Sequence, residues 1–264
     1  MADRLYRGVI AGGRALLRSL DLTVRSSGQE HVPGTGPVVL ASNHVSFPDF
    51  VFVQQGLLRG SGGHGRLVRF MCRHDIWDSP VGWAMDRMQH IPVDRAAPAA
   101  AYLTARRLLR AGEPVCVFPE GGISAAYVVR AMMPGAVALA RETGAPLVPV
   151  NVWGGQRLWG QKRSLDAPIP RPDLARGRLV DVRFRAPIHV APDADLVEVT
   201  RDLGRSLQAG LEELQTLPEH RPRPGEYAPW YPAHLGGDAV ERTASLDLDR
   251  MPRAALLPTW GPST

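Results

Sequence analysis

Short apolar segments alternate with longer stretches of helical character along residues 28–217. The apolar segments include "PVVLASNH" (37–44), "EPVCVFPEGG" (113–122) and "APLVPVNVWGG" (145–155), and turn residues bound each of them. The stretches between them, such as "AAPAAAYLTARRLLRAG" (96–112), repeat apolar residues at the spacing of an amphipathic helix. This alternation predicts one α/β domain with a mixed, largely parallel central sheet flanked by helices. In such sheets, ligands bind beyond the carboxyl ends of the strands.

Two segments of different character flank this domain. Residues 1–27 predict an amphipathic helix, with arginines on one side and apolar residues on the other. The arginines are Arg4, Arg7, Arg14, Arg18 and Arg25. Such a helix either packs its apolar side on the core or lies in a membrane interface, and the sequence leaves both open. Residues 218–264 are rich in proline, which predicts an irregular tail wrapped on the domain.

The net charge is +5 at pH 7, and arginine carries nearly all of the surplus because Lys162 is the only lysine. A basic balance favours phosphate groups, nucleic acid or an anionic membrane surface as partners, although genome composition explains it equally well. No nucleic-acid-binding motif accompanies the charge, so we predict no nucleic-acid partner. No apolar run reaches the roughly 18 residues that span a bilayer. Arg14 and Arg18 interrupt any signal-peptide core. We expect a protein that is soluble or lies on a membrane.

Cysteine and histidine usage gives no sign of a metal. Cys72 and Cys116 sit among apolar neighbours and are too few for a disulfide framework, which favours a reducing, cytosolic setting. Seven histidines show no metal-ligand spacing. They are His31, His64, His74, His90, His189, His220 and His234. We predict no metal and no other cofactor.

The segment "SNHVSFPD" (42–49) places His44 at the end of a predicted strand and Asp49 in the first turn of the next helix. A histidine and an aspartate at this spacing arise about 0.5 times by chance, so the pair alone is weak. In this setting Asp49 can bond one ring nitrogen of His44, fix the tautomer and raise the basicity of the other nitrogen. That arrangement suits a general base acting on a hydroxyl. No G-x-S-x-G motif occurs, which favours direct attack over a covalent intermediate.

Three later segments complete a pattern: "HIPVDR" (90–95), "VFPEGG" (117–122) and "PLVPV" (146–150). Their order and spacing after "NHVSFPD" resemble the four sequence blocks of the glycerolipid acyltransferases, the family of lysophosphatidate acyltransferases. The resemblance covers about residues 30–190 and implies the fold of the glycerol-phosphate acyltransferases. It also implies transfer of an acyl group from acyl-CoA or acyl carrier protein to a hydroxyl of a lysophospholipid, such as 1-acyl-glycerol-3-phosphate, in phospholipid biosynthesis.

The resemblance assigns roles to particular residues. His44 becomes the catalytic base and Asp49 its support, while Arg95 contacts the acceptor's phosphate. Pro149 lines an acyl channel, which we expect to open near His44. Glu120, Gly121 and Gly122 shape the acceptor site. Supporting positions are Asn43, Ser46, Ser124 and Arg130. A developing oxyanion needs N–H donors, and the start of the helix after His44 is a candidate source.

One block departs from the family pattern. The third block commonly reads Phe-Pro-Glu-Gly-Thr-Arg-Ser, whereas this chain has "FPEGGIS", with Gly122 and Ile123 in place of threonine and arginine. A basic residue expected some ten positions later is also missing, and Arg130 is a candidate substitute. Loss of a charged contact weakens a phosphomonoester by about 1.5–3 kcal/mol. The acceptor lipid, acyl-chain length, donor and oligomeric state stay open.

Two other functions stay open at this point. A thioesterase or esterase would use the same His44–Asp49 pair to activate water instead of an alcohol. A non-catalytic lipid-binding module would keep the fold without consuming a thioester. The acyltransferase interpretation places the chain in the cytoplasm, peripheral on the inner face of the cell membrane, where each basic residue near anionic lipid contributes about 1 kcal/mol.

Overall fold

The structure is a computed structural model that describes residues 2–59, 65–249, 252 and 254–261, so His64, one of the histidines without metal-ligand spacing, lies outside the described residues. The strands are β1 (Thr23–Ser27), β2 (Val38–Ser42), β3 (Arg69–Arg73), β4 (Ile91–Val93), β5 (Pro114–Val117), β6 (Leu147–Trp153) and β7 (Leu179–Phe184). The helices are α1 (Ala2–Ser19), α2 (Asp49–Arg59), α3 (Gly82–Arg87), α4 (Ala99–Arg110), α5 (Gly135–Thr143), α6 (Gln156–Trp159), α7 (Leu196–Gln215) and α8 (Arg242–Leu248). Short 3-10 turns lie at 29–31, 74–78, 218–220 and 233–235.

The described strands form one sheet in the order β1-β7-β6-β2-β5-β3-β4. All neighbouring pairs are parallel except β6 and β7, which run antiparallel. The predicted mixed, largely parallel α/β fold is therefore confirmed. Every residue of β2 is buried, as expected for a central strand covered on both faces. Its carboxyl end leads directly into the segment that carries His44.

Apolar layers cover both faces of the sheet. Val38 and Leu40 of β2 pack into a cluster with Phe52 and Leu57 of α2, whereas Val39 contacts the opposite cluster. Side chains of α4, α5 and α7 build that second cluster. Those of α7 follow helical spacing and are almost completely buried; they are Leu203, Leu207, Leu211 and Leu214. The two layers fix β2, which leads to His44, and α2, which begins at Asp49.

The N-terminal helix is shorter than predicted. It ends at Ser19, and Thr23–Ser27 forms β1, which pairs in parallel with β7 at the sheet edge. The prediction of a helix to residue 27 is wrong there because the free edge of β7 offers backbone partners to this short segment. Arg25, predicted to lie on the polar face of the helix, lies on β1 instead. The apolar side of α1 packs inward, with Tyr6 only 4% exposed.

The tail packs on the domain and is not wholly irregular. It contains α8, which the sequence did not predict, beside turns and extended segments. Tyr231 and Trp260 are buried within the second apolar cluster, the one that α4, α5 and α7 build. The Trp260 Nε1–H donates to the carbonyl of Val129 at 3.2 Å. The tail therefore contributes to the core. Among the described helices, none has the length and apolar character to cross a membrane.

Candidate active site

The predicted pair of His44 and Asp49 forms just beyond the carboxyl end of β2. His44 Nδ1 lies 2.8 Å from Asp49 Oδ2, and the Asp49 side chain is fully buried. The backbone N–H groups of Val45 and Ser46 also donate to Oδ2, each at 2.8 Å. The Ser46 hydroxyl donates to Oδ1. Four donors thus surround one carboxylate, so its position is held before any substrate binds.

The ring of His44 is held in one orientation while one nitrogen stays open. It stacks on Phe118, with ring centroids 4.3 Å apart and planes 26° apart. Because the Asp49 carboxylate accepts a hydrogen bond, Nδ1 carries the proton and Nε2 has a free lone pair. Nε2 has no hydrogen-bond partner among the described residues, and the side chain is 19% exposed. This arrangement permits Nε2 to take a proton from an incoming hydroxyl.

The backbone amides around His44 are not free to hold an oxyanion. The N–H of His44 donates to Glu120 Oε1 at 2.8 Å, and those of Val45 and Ser46 donate to Asp49. The N–H of Phe47 donates to the Trp159 carbonyl at 3.0 Å. The N–H groups of residues 44–47 are thus all engaged within the protein, and those of Val45 and Ser46 hold Asp49 beside His44. The supply of oxyanion donors by the start of the helix after His44 stays a prediction.

Glu120 links the two loops of the site. Its side chain is 1% exposed, and its second oxygen accepts from the N–H of Arg130 at 2.9 Å. Burial raises the pKa of Glu120 to about 8, against the lowering effect of Arg130 and the two N–H donors. The predicted role of Glu120 in shaping the acceptor site stays a prediction. Glu120 fixes the His44 backbone against the loop that follows β5.

Two guanidinium groups converge on the turn after Glu120. Arg95, which follows β4, donates through Nη2 to the carbonyl of Gly121, a residue with φ of +65°. A Cβ atom on Gly122 would lie 3.5 Å from Arg95 Nη2 and 2.8 Å from Arg130 Nη1. Burial, followed by the charges of Arg73 and Arg130, lowers the pKa of Arg95. The geometry gathers positive charge at this turn, as a phosphate site requires.

Arg130 faces both this turn and the tail. Its side chain is 7% exposed, and Nη1 lies 3.5 Å from Asp249 Oδ1. Nη1 also lies 3.5 Å from the carbonyl of Ile123, while Nη2 donates to the Asp249 carbonyl. Its Nε–H is buried without a hydrogen-bond partner among the described residues. The candidate substitute charge is thus present and paired with a carboxylate of the tail.

Residues 23–153 match the family model described as Acyltransferase. These residues form an acyltransferase-family domain. The chain is 33% identical over 132 residues to a chloroplastic 1-acyl-sn-glycerol-3-phosphate acyltransferase of Brassica napus. It is 31% identical over 136 residues to one of Arabidopsis thaliana. These matches cover 48% and 50% of this chain but only 36% of each relative, so the chain spans little more than a third of their length.

A solved structure shares the fold of this chain. It is that of the 1-acyl-sn-glycerophosphate (LPA) acyltransferase PlsC from Thermotoga maritima. The TM-score is 0.63 with 21% sequence identity, over 82% of this chain and 80% of that one. The resemblance seen in the four sequence blocks is confirmed at the level of family and fold.

Two of the predicted supporting residues, Asn43 and Ser124, hold the backbone of this acyltransferase-family site. The side-chain amide of Asn43 donates to the Val152 carbonyl at 3.0 Å and accepts from its N–H at 2.8 Å, which joins β2 to β6 beyond their ladder. The N–H of Ser124 donates to the His44 carbonyl at 2.8 Å. Pro149 lies inside β6 opposite Ala41, within the sheet and not at its rim.

The sequence did not single out several residues that complete the site. Phe118 is the stacking partner of His44. A Cβ atom on Gly155 would collide with Ser46 Oγ and lie 2.7 Å from Phe52, so only glycine lets this turn approach α2. Asp249 had no signal at all, because its contact with Arg130 joins residues 119 positions apart.

The expected acyl channel near His44 stays a prediction. A cavity of about 250 Å³ lies between α1 and α2, and a second of about 380 Å³ is bounded by α1 and the loops near residues 35 and 112. Neither includes His44 in its lining.

Within the described ranges, no group of three or more histidine, cysteine, aspartate or glutamate side chains is placed to hold a metal.

Proposed function

We propose that the chain is an O-acyltransferase that moves a fatty acyl group from an acyl thioester to a hydroxyl of a lysophospholipid. The observation that carries this proposal is the His44–Asp49 pair, with Nδ1 bound at 2.8 Å and Nε2 free. The acyltransferase-family domain supports the same chemistry. The buried, four-fold bonded Asp49 is suited to stabilising the imidazolium that forms when His44 takes a proton.

The reaction needs one base and two bond changes at the thioester carbon. His44 Nε2 removes the proton of the acceptor hydroxyl as the oxygen attacks the carbonyl carbon. The new C–O bond forms, the carbon–sulfur bond breaks, and the sulfur leaves with the bonding pair. The imidazolium of His44 returns the proton to the thiolate, which gives an ester and a free thiol. No covalent acyl-enzyme is needed.

The acceptor is proposed to carry a phosphate. The relatives from Brassica napus and Arabidopsis thaliana are named for 1-acyl-sn-glycerol-3-phosphate, and Arg95 and Arg130 face the Gly122 turn. We assign the phosphate to this turn, with Arg95 as its exposed contact. The donor is acyl-CoA or acyl carrier protein. Both candidates bring the same thioester, and only the carrier differs.

The site is proposed to work at the inner face of the cell membrane, where its lipid substrates reside. The polar side of α1 carries several arginines, and Val9 and Leu16 on the same helix are exposed. Basic and apolar side chains together favour docking on anionic lipid. The inward packing of Tyr6 and Ile10 keeps α1 on the domain while its outer surface meets the membrane.

The test measures free-thiol release from palmitoyl-CoA with vesicles that contain 1-acyl-glycerol-3-phosphate or other lysophospholipids, and identifies the lipid product by mass spectrometry. We expect release that requires an acceptor and is lost in His44→Ala. His189→Ala is the matched control, since this exposed histidine follows β7 near the start of β6, at the opposite end of that strand from the site. Release without any acceptor would show a hydrolase. Lipid binding without release from palmitoyl-CoA or palmitoyl carrier protein would show a binding module.

A further inference from the structure

The pair of Arg130 and Asp249 lies at the acceptor side of the proposed site. Arg130 follows the loop that Glu120 ties to the backbone of His44, and its guanidinium lies against Gly122. Asp249 directly follows α8 and is 5% exposed. Its Oδ1 also accepts from the N–H of Ala125 at 3.3 Å. A carboxylate of the tail therefore reaches the same turn that we assign to the acceptor's phosphate.

The turn is open because residue 122 has no side chain. Any Cβ atom there would come within 2.8 Å of Arg130 Nη1, so a larger residue would push this guanidinium away. The side chain of Arg130 is only 7% exposed, and its Nε–H has no hydrogen-bond partner among the described residues. An unfilled, buried donor on a cation is costly unless a ligand uses it. Arg130 is thus a second cation with capacity for an anionic ligand.

The charges near Gly122 do not balance. Arg95 bonds the carbonyl of Gly121, and no carboxylate of the described chain lies within ion-pair distance of it. Arg130 has one carboxylate, that of Asp249. Arg73 is paired with Asp75, and burial raises the pKa of Glu120 to about 8, so neither changes the balance near pH 7. Two guanidinium groups and the Asp249 carboxylate then leave a single net positive charge at the turn. A ligand with one negative charge neutralises this turn. A ligand with nearly two negative charges brings an excess that the Asp249 carboxylate repels.

We propose that Asp249 is a specificity-determining residue that favours acceptors whose phosphate carries one negative charge over acceptors with a terminal phosphate. This inference rests on the proposed function, because it concerns the acceptor of that reaction. A phosphomonoester carries about −1.5 to −2 at pH 7, and a phosphodiester carries one negative charge. Asp249 neutralises Arg130 and repels the additional charge of the monoester.

The first test compares two acceptors of equal chain length, 1-acyl-glycerol-3-phosphate and 1-acyl-glycerophosphoglycerol. Asp249→Asn keeps the shape of the side chain and removes its charge. We expect the ratio of kcat/KM for the monoester to that for the diester to rise about tenfold, chiefly through a lower KM for the monoester. Asp181→Asn is the matched control, because Asp181 lies in another buried ion pair, with Arg25 and His220. It should leave the ratio unchanged.

A second test needs no turnover. In the His44→Ala protein, calorimetry measures binding of glycerol 3-phosphate with and without Asp249→Asn. We expect about tenfold tighter binding in the double variant. Addition of Arg130→Gln should remove this gain without leaving a buried unpaired charge. Thermal melts confirm that each variant is folded.

The outcomes separate the two proposals. Acceptor-dependent transfer with an unchanged monoester-to-diester ratio and unchanged glycerol 3-phosphate binding would overturn the role of Asp249 and leave the proposed function standing. Absence of any thiol release by the wild-type protein would overturn the proposed function. In that case, the calorimetric comparison still decides whether Asp249 opposes a dianionic phosphate at Arg130.

Discussion

Among the described residues, two pairs of histidine and aspartate have nearly the same contact distance and very different surroundings. In the first, His44 Nδ1 lies 2.8 Å from Asp49 Oδ2 at the end of β2. In the second, His220 Nε2 lies 2.6 Å from Asp181 Oδ2, where the start of the tail meets β7. The His44 side chain is 19% exposed, and that of His220 is 2% exposed. Distance alone therefore does not distinguish a base from a structural contact.

The partners of the two carboxylates show the difference. Asp49 accepts from backbone amides and a hydroxyl, which bring no charge that competes with a proton on His44. Asp181 is paired with Arg25 at 2.6 Å as well as with His220, and Glu219 also bonds Arg25. Burial raises the pKa of Asp181, but His220 and Arg25 outweigh it and hold the pKa below the usual range. The second pair joins β1, β7 and the tail.

The largest expected effect is a contrast between the two histidines, one of which should affect kcat and the other stability. His44→Ala should lower kcat about 10²–10⁴-fold, the usual contribution of a general base. His220→Ala should leave the activity of the folded protein within about twofold and lower the free energy of unfolding by about 1–3 kcal/mol, since it leaves a buried carboxylate with fewer donors. Urea unfolding and thiol release on both variants check this. Loss of activity in a stably folded His220→Ala protein would contradict the distinction.

The next effect concerns the carboxylates. Asp49→Asn keeps the size of the side chain but removes the charge that stabilises the His44 imidazolium, and we expect kcat to fall about a hundredfold. Asp181→Asn should change kcat little while lowering stability. Steady-state kinetics at saturating acceptor, corrected for the folded fraction, measures both. Equal losses of kcat in the two variants would show that the second pair supports catalysis.

The catalytic pair could be predicted because its contacts are local. His44 and Asp49 are five positions apart between the end of a strand and the start of a helix, so the chain leaves few ways to arrange them. The four blocks then indicated the family, and the alternation of elements indicated the sheet. These predictions depend on short-range periodicity and spacing, which the sequence carries directly.

The remaining contacts are long-range and have no periodic signal. The pairs are Gly155 with Ser46, Arg130 with Asp249 and β1 with β7, and they join segments more than a hundred positions apart. Four of the five residues of β1 are polar, so local propensity did not distinguish this segment from the end of a helix. Tertiary pairing decided their structure.

Two glycines test how each region is packed, with a smaller expected effect. In Gly155→Ala the new methyl group meets Ser46 Oγ and Phe52, and in Gly204→Ala it comes within 2.5 Å of the Trp260 ring. Overpacking should lower the free energy of unfolding of both variants by about 1–3 kcal/mol. Only Gly155→Ala should also lower kcat, because Ser46 donates to Asp49. Denaturation curves and kinetics on the same preparations compare them; an equal fall in kcat would make the docked tail part of the catalytic support.

The last expected effect is a pH dependence of stability that separates the two regions. Burial raises the pKa of Glu120 to about 8, whereas the partners of Asp181 keep its pKa low. The folded protein then holds a proton on Glu120 that the unfolded chain releases above its ordinary pKa of 4.5. The stability that this proton contributes is complete below pH 4.5 and is lost as the pH rises towards 8. The slope is at most about 1.4 kcal/mol per pH unit.

Urea unfolding of the wild type and Glu120→Gln from pH 5 to 9 measures this contribution, because the variant cannot titrate at residue 120. The difference in unfolding free energy should fall up to about pH 8, the folded-state pKa of Glu120, and then level off. Glu213→Gln is the control, since hydrogen bonds and charges from Arg185 and Arg183 outweigh burial and lower the pKa of Glu213, so its difference should be flat. A flat difference for Glu120→Gln as well would mean that the N–H donors of His44 and Arg130 keep Glu120 ionised. A charged Glu120 would then hold the loop after β5 against the backbone of His44, in the way that the Asp49 carboxylate holds the ring of His44.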